Sequence, residues 1–94
     1  MTYAAVIEVD NSQEDPEEGR RGLREELLPV LKTMPGFVSA ALLTAYDQGR
    51  GFAVVSFESA EHARQLAAGL EVGQQIREGV IVLSTRVFEV SASA

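Results

Sequence analysis

The sequence predicts an α+β domain of order β-α-β-β-α-β: a four-stranded antiparallel sheet with both helices on one face. Three observations lead to it. The chain reads twice as strand, helix, strand; the first helix turns into the second strand through Pro35-Gly36-Phe37; and the strand segments are apolar on both of their faces. The length of 94 residues allows one domain over 1–94, of a size that buries only about 60 to 65% of its unfolded surface, so a second copy would add stability.

Tyr3 to Val9 is rich in β-branched and aromatic residues and runs out into Asp10-Asn11-Ser12-Gln13, which is loop chemistry. A helix starts next. Asp15 can accept hydrogen bonds from free amides, Pro16 suits the first helical position, and Glu17 and Glu18 lie at the positive end of the helix dipole. Leu23, Leu27, Val30, Leu31 and Met34 then recur at helical spacing and form a stripe that faces a core. Pro29 removes an amide donor and crowds the carbonyl of Glu25, which predicts a kink or restart there.

Met34-Pro35-Gly36 ends this helix, and Phe37 to Tyr46 forms the second strand. Asp47-Gln48-Gly49-Arg50-Gly51 supplies a hairpin turn, and Phe52 to Phe57 returns antiparallel. Ser59 caps a second helix whose buried stripe is Ala63, Leu66, Ala67 and Leu70. A weak helical turn is expected around Gln74 to Arg77. Val80 to Val90 is the last strand.

This order is the split βαβ arrangement of the ferredoxin-like fold. Two short helices cannot cover all of Val38, Leu42, Val55, Phe57, Val82 and Phe88, so one sheet face is left bare. An exposed apolar face of that extent is rare in a monomer, and the simplest cover is a second copy on a two-fold axis, giving a homodimer. Which strand parity faces that copy is left open by one sequence.

The composition is that of a globular protein, with 46% hydrophobic and 23% charged residues. A net charge of -6 argues against nucleic acid and against an anionic membrane surface as partners. The absence of cysteine excludes disulfides and thiolate chemistry. The apolar start lacks basic residues and is too short for a signal peptide or a membrane span, so a cytoplasmic protein is expected.

Pro35-Gly36-Phe37 leading into an apolar strand, together with the run Val54-Val55-Ser56-Phe57-Glu58-Ser59-Ala60-Glu61-His62-Ala63, resembles the dimeric α/β-barrel superfamily and its antibiotic biosynthesis monooxygenase-like family. The resemblance implies two ferredoxin-like subunits packed sheet to sheet, each with a cavity between its own sheet and helices. It also implies activities that range from cofactor-free oxygenation of aromatic, polyketide-like molecules to heme degradation, beside proteins without known activity. Active members rely on a tryptophan and an asparagine near the cavity. This chain has no tryptophan, and its single asparagine, Asn11, falls in a loop, so no catalytic residue carries over.

The polar candidates therefore rest on their own chemistry. His62, the one histidine, could act as a general base or a metal ligand; its place in the first turn of a helix, with no second ligand near it in sequence, better suits an ordinary exposed residue. Arg86 lies mid-strand, where a buried guanidinium could hold a ligand carboxylate or enolate, or simply pair with Glu8 or Glu89. Tyr46 ends the second strand and could aim its hydroxyl at a cavity mouth, or cover a barrel end with its ring. Gly49-Arg50-Gly51 is a turn rather than a phosphate cradle. No spacing suggests a metal, and no cofactor is expected. The acidic stretch Glu14-Asp15-Glu17-Glu18 reads as a solvated helix cap.

Two functions fit: a ligand-binding or non-catalytic dimeric module holding a small apolar or aromatic molecule, and a cofactor-independent monooxygenase acting on an aromatic, polyketide-like one. The missing tryptophan and the placing of Asn11 favour the first.

Overall fold

In order along the chain, the elements are β1 (Thr2–Asp10), α1 (Pro16–Gly22), a π-turn (Leu23–Leu27), α2 (Leu28–Leu31), β2 (Phe37–Ala45), a 3-10 turn (Tyr46–Gln48), β3 (Arg50–Phe57), α3 (Ala60–Ala68), β4 (Gln75–Arg77) and β5 (Val80–Val90). The structure is a computed structural model and describes all residues from Met1 to Ala94. The architecture is α+β. One antiparallel sheet of order β2-β3-β1-β5-β4 carries the helices on a single face.

The sheet has five strands where four were expected. Residues Gln75–Arg77 form a strand, not the anticipated helical turn. The segment pairs with Val80 and Ile81, and two bonds tie the residues just before it to the same strand: the Gly73 amide donates to Val82 O at 2.8 Å and the Val82 amide to Gln74 O at 2.9 Å. A lone helical turn spends several dihedrals on one hydrogen bond, so pairing with a strand already in place wins. Gly79, at φ 79°, makes the tight reversal between β4 and β5. The other reversal also differs slightly from expectation. Tyr46 leaves β2 for the 3-10 turn, and β3 begins at Arg50, two residues early, because the turn closes at Gly49 and Gly51 is free to join the ladder.

The first helix begins as its sequence requires. Asp15 accepts a hydrogen bond from the Glu18 amide at 3.0 Å, with Pro16 at the first helical position. The interruption expected from Pro29 is a π-turn. The Leu28 amide bonds to Leu23 O, five residues back, and the helix restarts as α2. Widening the helix by one residue relieves the crowding between the proline ring and the turn before it. Helix α3 is capped by Ser59, whose Oγ accepts from the His62 amide at 3.2 Å.

Strand register decides which face is buried. In β1 the odd positions are Tyr3, Ala5, Ile7 and Val9, whereas the even positions include Glu8 and Asp10. The charged set must face away from the core, and pairing then imposes a parity on the other strands: Ala5 lies opposite Val55 and Val87, and Tyr3 opposite Phe57. The core is Ala5, Ile7, Leu31, Val55, Phe57, Ala63 and Val82. This corrects the anticipated bare face: Val55, Phe57 and Val82 are buried beneath the helices, and Leu42 packs against the same core. The bare face instead carries Leu43, Phe52, Ile81 and Phe88, which are 51%, 40%, 41% and 49% exposed. Val38 is exposed at a register shift in β2. No helix is long and apolar enough to cross a membrane.

Candidate functional site

The first helix, spanning 16–31, buries one large side chain fully, Leu31; the other two buried residues along it are Gly19 and Gly22. It stands off the sheet. Between them lies a cavity of about 460 Å³, walled by Leu23 and Leu27 of the helix, Val9, Leu42 and Val55 of the sheet, Leu66 of α3 and Leu70 just beyond its end. Sixteen of its 22 lining residues are hydrophobic, so the polar exceptions stand out. Glu26 and Thr44 are exposed residues of its rim. Asn11, Glu14 and Arg77 form one cluster in its wall.

The cluster is built by a single tight turn. The Glu14 amide donates to Asn11 O at 3.0 Å, which closes a turn directly after β1 ends and leaves both residues in the cavity wall. Arg77 arrives on β4, and the reversal that follows it lies close to the turn: a Cβ on Gly79 would come within 2.7 Å of Gln13 O. Arg77 Nε then sits 2.9 Å from Glu14 Oε2. Its N–H does not point along that contact, so the pair is a charge contact and Oε2 keeps no aligned donor. The other oxygen, Oε1, accepts from the Tyr46 hydroxyl at 3.0 Å. The side chain of Glu14 is 8% exposed.

Two helical glycines make room for this arrangement. A Cβ on Gly19 would collide with the Tyr46 hydroxyl and the Glu14 carboxylate, and one on Gly22 with the Arg77 guanidinium. Each glycine weakens the helix by roughly 1 kcal/mol relative to alanine, so the space it frees has a specific use. Arg20 adds a cation over the Tyr46 ring, 5.1 Å from its centroid. Burial and the hydrogen bond to Glu14 push the Tyr46 phenol up to about 12. It stays protonated and donates to the carboxylate.

Asn11 is 3% exposed. Its Nδ2 donates to Arg50 O at 3.0 Å, and its own amide donates to Gly49 O at 3.2 Å. The carbonyl oxygen of its side chain, Oδ1, is buried and has no partner in the protein. The orientation follows from the bond it does make: reversing the amide would set Oδ1 against the Arg50 carbonyl.

None of the three residues singled out from the sequence lines the cavity. Tyr46 comes nearest, through Glu14. His62 stays beside its cap, with Nδ1 2.8 Å from Ser59 Oγ and the ring filling the space a Cβ on Gly36 would take. Arg86 is exposed on the bare face opposite Val6, without an ion pair to Glu8 or Glu89. Arg50 approaches Glu8 at 3.9 Å instead, and also Asp10 at 3.7 Å. Hydrogen bonds from the Ser12 hydroxyl and amide hold the Asp10 carboxyl below its usual range, with Arg50 assisting. No group of three or more acidic or histidine side chains is arranged to hold a metal ion.

Sequence reasoning missed Asn11 and Glu14. The acidic stretch divides: Asp15 caps the helix, Glu17 and Glu18 are exposed, and Glu14 turns inward. The legible signal was Gly19-x-x-Gly22, two glycines inside a helix that has no need of them for a turn. No family model matches this chain, and no curated protein or solved structure matches it significantly.

Proposed function

We propose that this chain is a ferredoxin-like domain that pairs with a second copy through its bare sheet face, as in a dimeric α/β barrel, and holds a small apolar molecule between helix and sheet. The observation that carries the binding role is the cavity: about 460 Å³, inside the range of small-molecule sites, with an apolar wall interrupted by one polar cluster. Strand order β2-β3-β1-β5, with both helices on one face, supports the ferredoxin-like assignment. Leu43, Phe52, Ile81 and Phe88 together give the bare face the apolar character that a partner sheet would cover.

The binding role is tested by NMR titration of the ¹⁵N-labelled protein with 2-methylnaphthalene. The amides of Leu27, Leu42 and Val55 are expected to shift, and Leu27→Trp, which fills the cavity, should abolish the response. A titration that moves no cavity amide removes this reading. For the pairing, sedimentation equilibrium at micromolar concentration should give twice the chain mass, and Phe88→Asp should halve it. A monomeric wild type removes the barrel and leaves the cavity unaffected.

The alternative of a cofactor-independent monooxygenase gains one observation. Asn11, though outside any strand, lines the cavity, where the family resemblance implies an asparagine. The tryptophan has no counterpart. Oxygen uptake with a panel of hydroquinones and anthrones separates the two: turnover abolished in Asn11→Ala supports the oxygenase, and no uptake leaves the binding module.

A further inference from the structure

We infer that the ligand of the cavity is an amphipathic anion, an apolar body ending in a carboxylate or similar acidic group, and that Arg20 and Arg24 receive its charged end. The inference rests on the binding role proposed above and names the chemical class of its ligand. A second recess, of about 250 Å³, lies between the first helix and the edge strand β2, and Leu23, Leu42 and Thr44 border both it and the cavity. Its other walls are Arg20, Arg24, Leu28 and Ala40. A molecule lying across Leu23 and Leu42 therefore has hydrocarbon around one end and two guanidinium groups beside the other.

The distribution of charge determines what that second end accepts. Acidic residues outnumber basic ones by 14 to 8, so a cation without an acidic partner is unexpected. Arg21 gathers the acids of the helix: Glu18 and Glu25 each lie 3.0 Å from it and Glu26 lies 3.6 Å away. Arg20 and Arg24, on either side of it in sequence, contact no carboxylate. Arg64 and Arg86 are unpaired too, but neither borders the cavity or the recess, whereas Arg20 and Arg24 share one wall. The Tyr46 ring steadies Arg20, whose Cζ lies 5.1 Å from its centroid. Glu14, bonded to the Tyr46 hydroxyl, has its own cation in Arg77 at 2.9 Å and leaves Arg20 uncommitted. Planar guanidinium groups with free N–H donors suit a carboxylate, and a cationic ligand would meet two like charges. Both arginines are exposed, which sets the expected preference at severalfold and makes it sensitive to salt.

Three probes that share one ring system test this by calorimetric titration of the wild-type protein near pH 7 at low salt: 2-naphthylacetate, its neutral amide 2-naphthylacetamide, and 2-(2-naphthyl)ethylammonium. The acetate should bind about fivefold more tightly than the amide and the ammonium weakest, and about 0.5 M salt should narrow the first ratio to less than about twofold. Arg24→Gln should lower the preference to about twofold, and Arg20→Gln with Arg24→Gln should remove it, whereas Arg64→Gln on α3 should leave it as in wild type. Should the double variant not fold, the wild-type ranking and its salt dependence decide alone. Equal affinity for acetate and amide, or a preference that survives the double variant, overturns the assignment of the anionic end while leaving the cavity as an apolar site. If none of the three binds, the binding role and this inference fall together.

Discussion

The two helical segments cover the same sheet face in opposite ways. Helix α3 lies flat: Ala63 is fully buried against the core, and Leu66 packs beside it, so small residues bring the helix close to β1. The first helix is longer, yet it fully buries only one large side chain and holds a cavity open beneath itself. Apolar packing seats the one. A polar cluster, set against two glycines, holds the end of the other. The difference teaches that an amphipathic stripe commits a helix to a face of a sheet without fixing its distance from it; the distance follows from what lies at its ends.

The largest effect should come from breaking the tight side. Phe57→Ala in the shared core is expected to lower stability by about 3–5 kcal/mol in urea unfolding, whereas Leu27→Ala in the cavity wall should cost roughly 1–2 kcal/mol, because that side chain already faces empty space on one side. Equal losses would mean that the cavity closes in solution.

A sharper contrast uses one substitution on both helices. Gly19→Ala improves helix propensity but drives a methyl group into the Tyr46 hydroxyl and the Glu14 carboxylate, and a net loss of about 1–3 kcal/mol is expected. Gly69→Ala, at the end of α3, meets nothing closer than Leu66 O at 3.6 Å in an ordinary helical conformation and should stabilise by about 0.5–1 kcal/mol. Thermal unfolding reads both signs; a stabilising Gly19→Ala would show that the cluster does not set the helix in place.

The smallest effect is one of pH. The fold raises the Tyr46 phenol from an ordinary 10.0 to about 12, so the folded protein holds this proton more tightly than the unfolded chain does. The associated stability is fully present below pH 10 and is lost as pH rises toward 12. Urea midpoints measured across that window should fall with a steeper slope in wild type than in Tyr46→Phe, and parallel slopes would uncouple the tyrosine from the cluster.

Much of the fold was legible in local pattern. Asp15-Pro16 and Ser59 marked both helix starts, Pro29 marked the interruption, and Val80 to Val90 was read with its true limits. Strand β4 was not legible, since three residues of mixed polarity carry no period and exist as a strand only because β5 offers an edge. The parity of the sheet was within reach: Glu8 and Asp10 in β1 point away from any core, and register transmits that choice to Leu42 and Val82. The candidate site was mostly hidden. His62, Arg86 and Tyr46 were attractive as residue types, yet chemistry depends on neighbours, and theirs are a helix cap, solvent on the bare face, and Glu14.

Short-range rules thus reach as far as the α+β class, the helix caps and the surplus of apolar surface, because each depends on residues within a few positions of one another. The cavity and its polar cluster lie beyond them. Asn11 and Arg77, with Glu14 and Tyr46 between them, are 66 residues apart in the chain, and the four come together only where the end of β1, a 3-10 turn and an edge strand converge on two glycines of a helix. Whether a buried oxygen finds its donor is settled by that convergence, since hydrogen bonds are fixed by positions in space and not by separation along the chain.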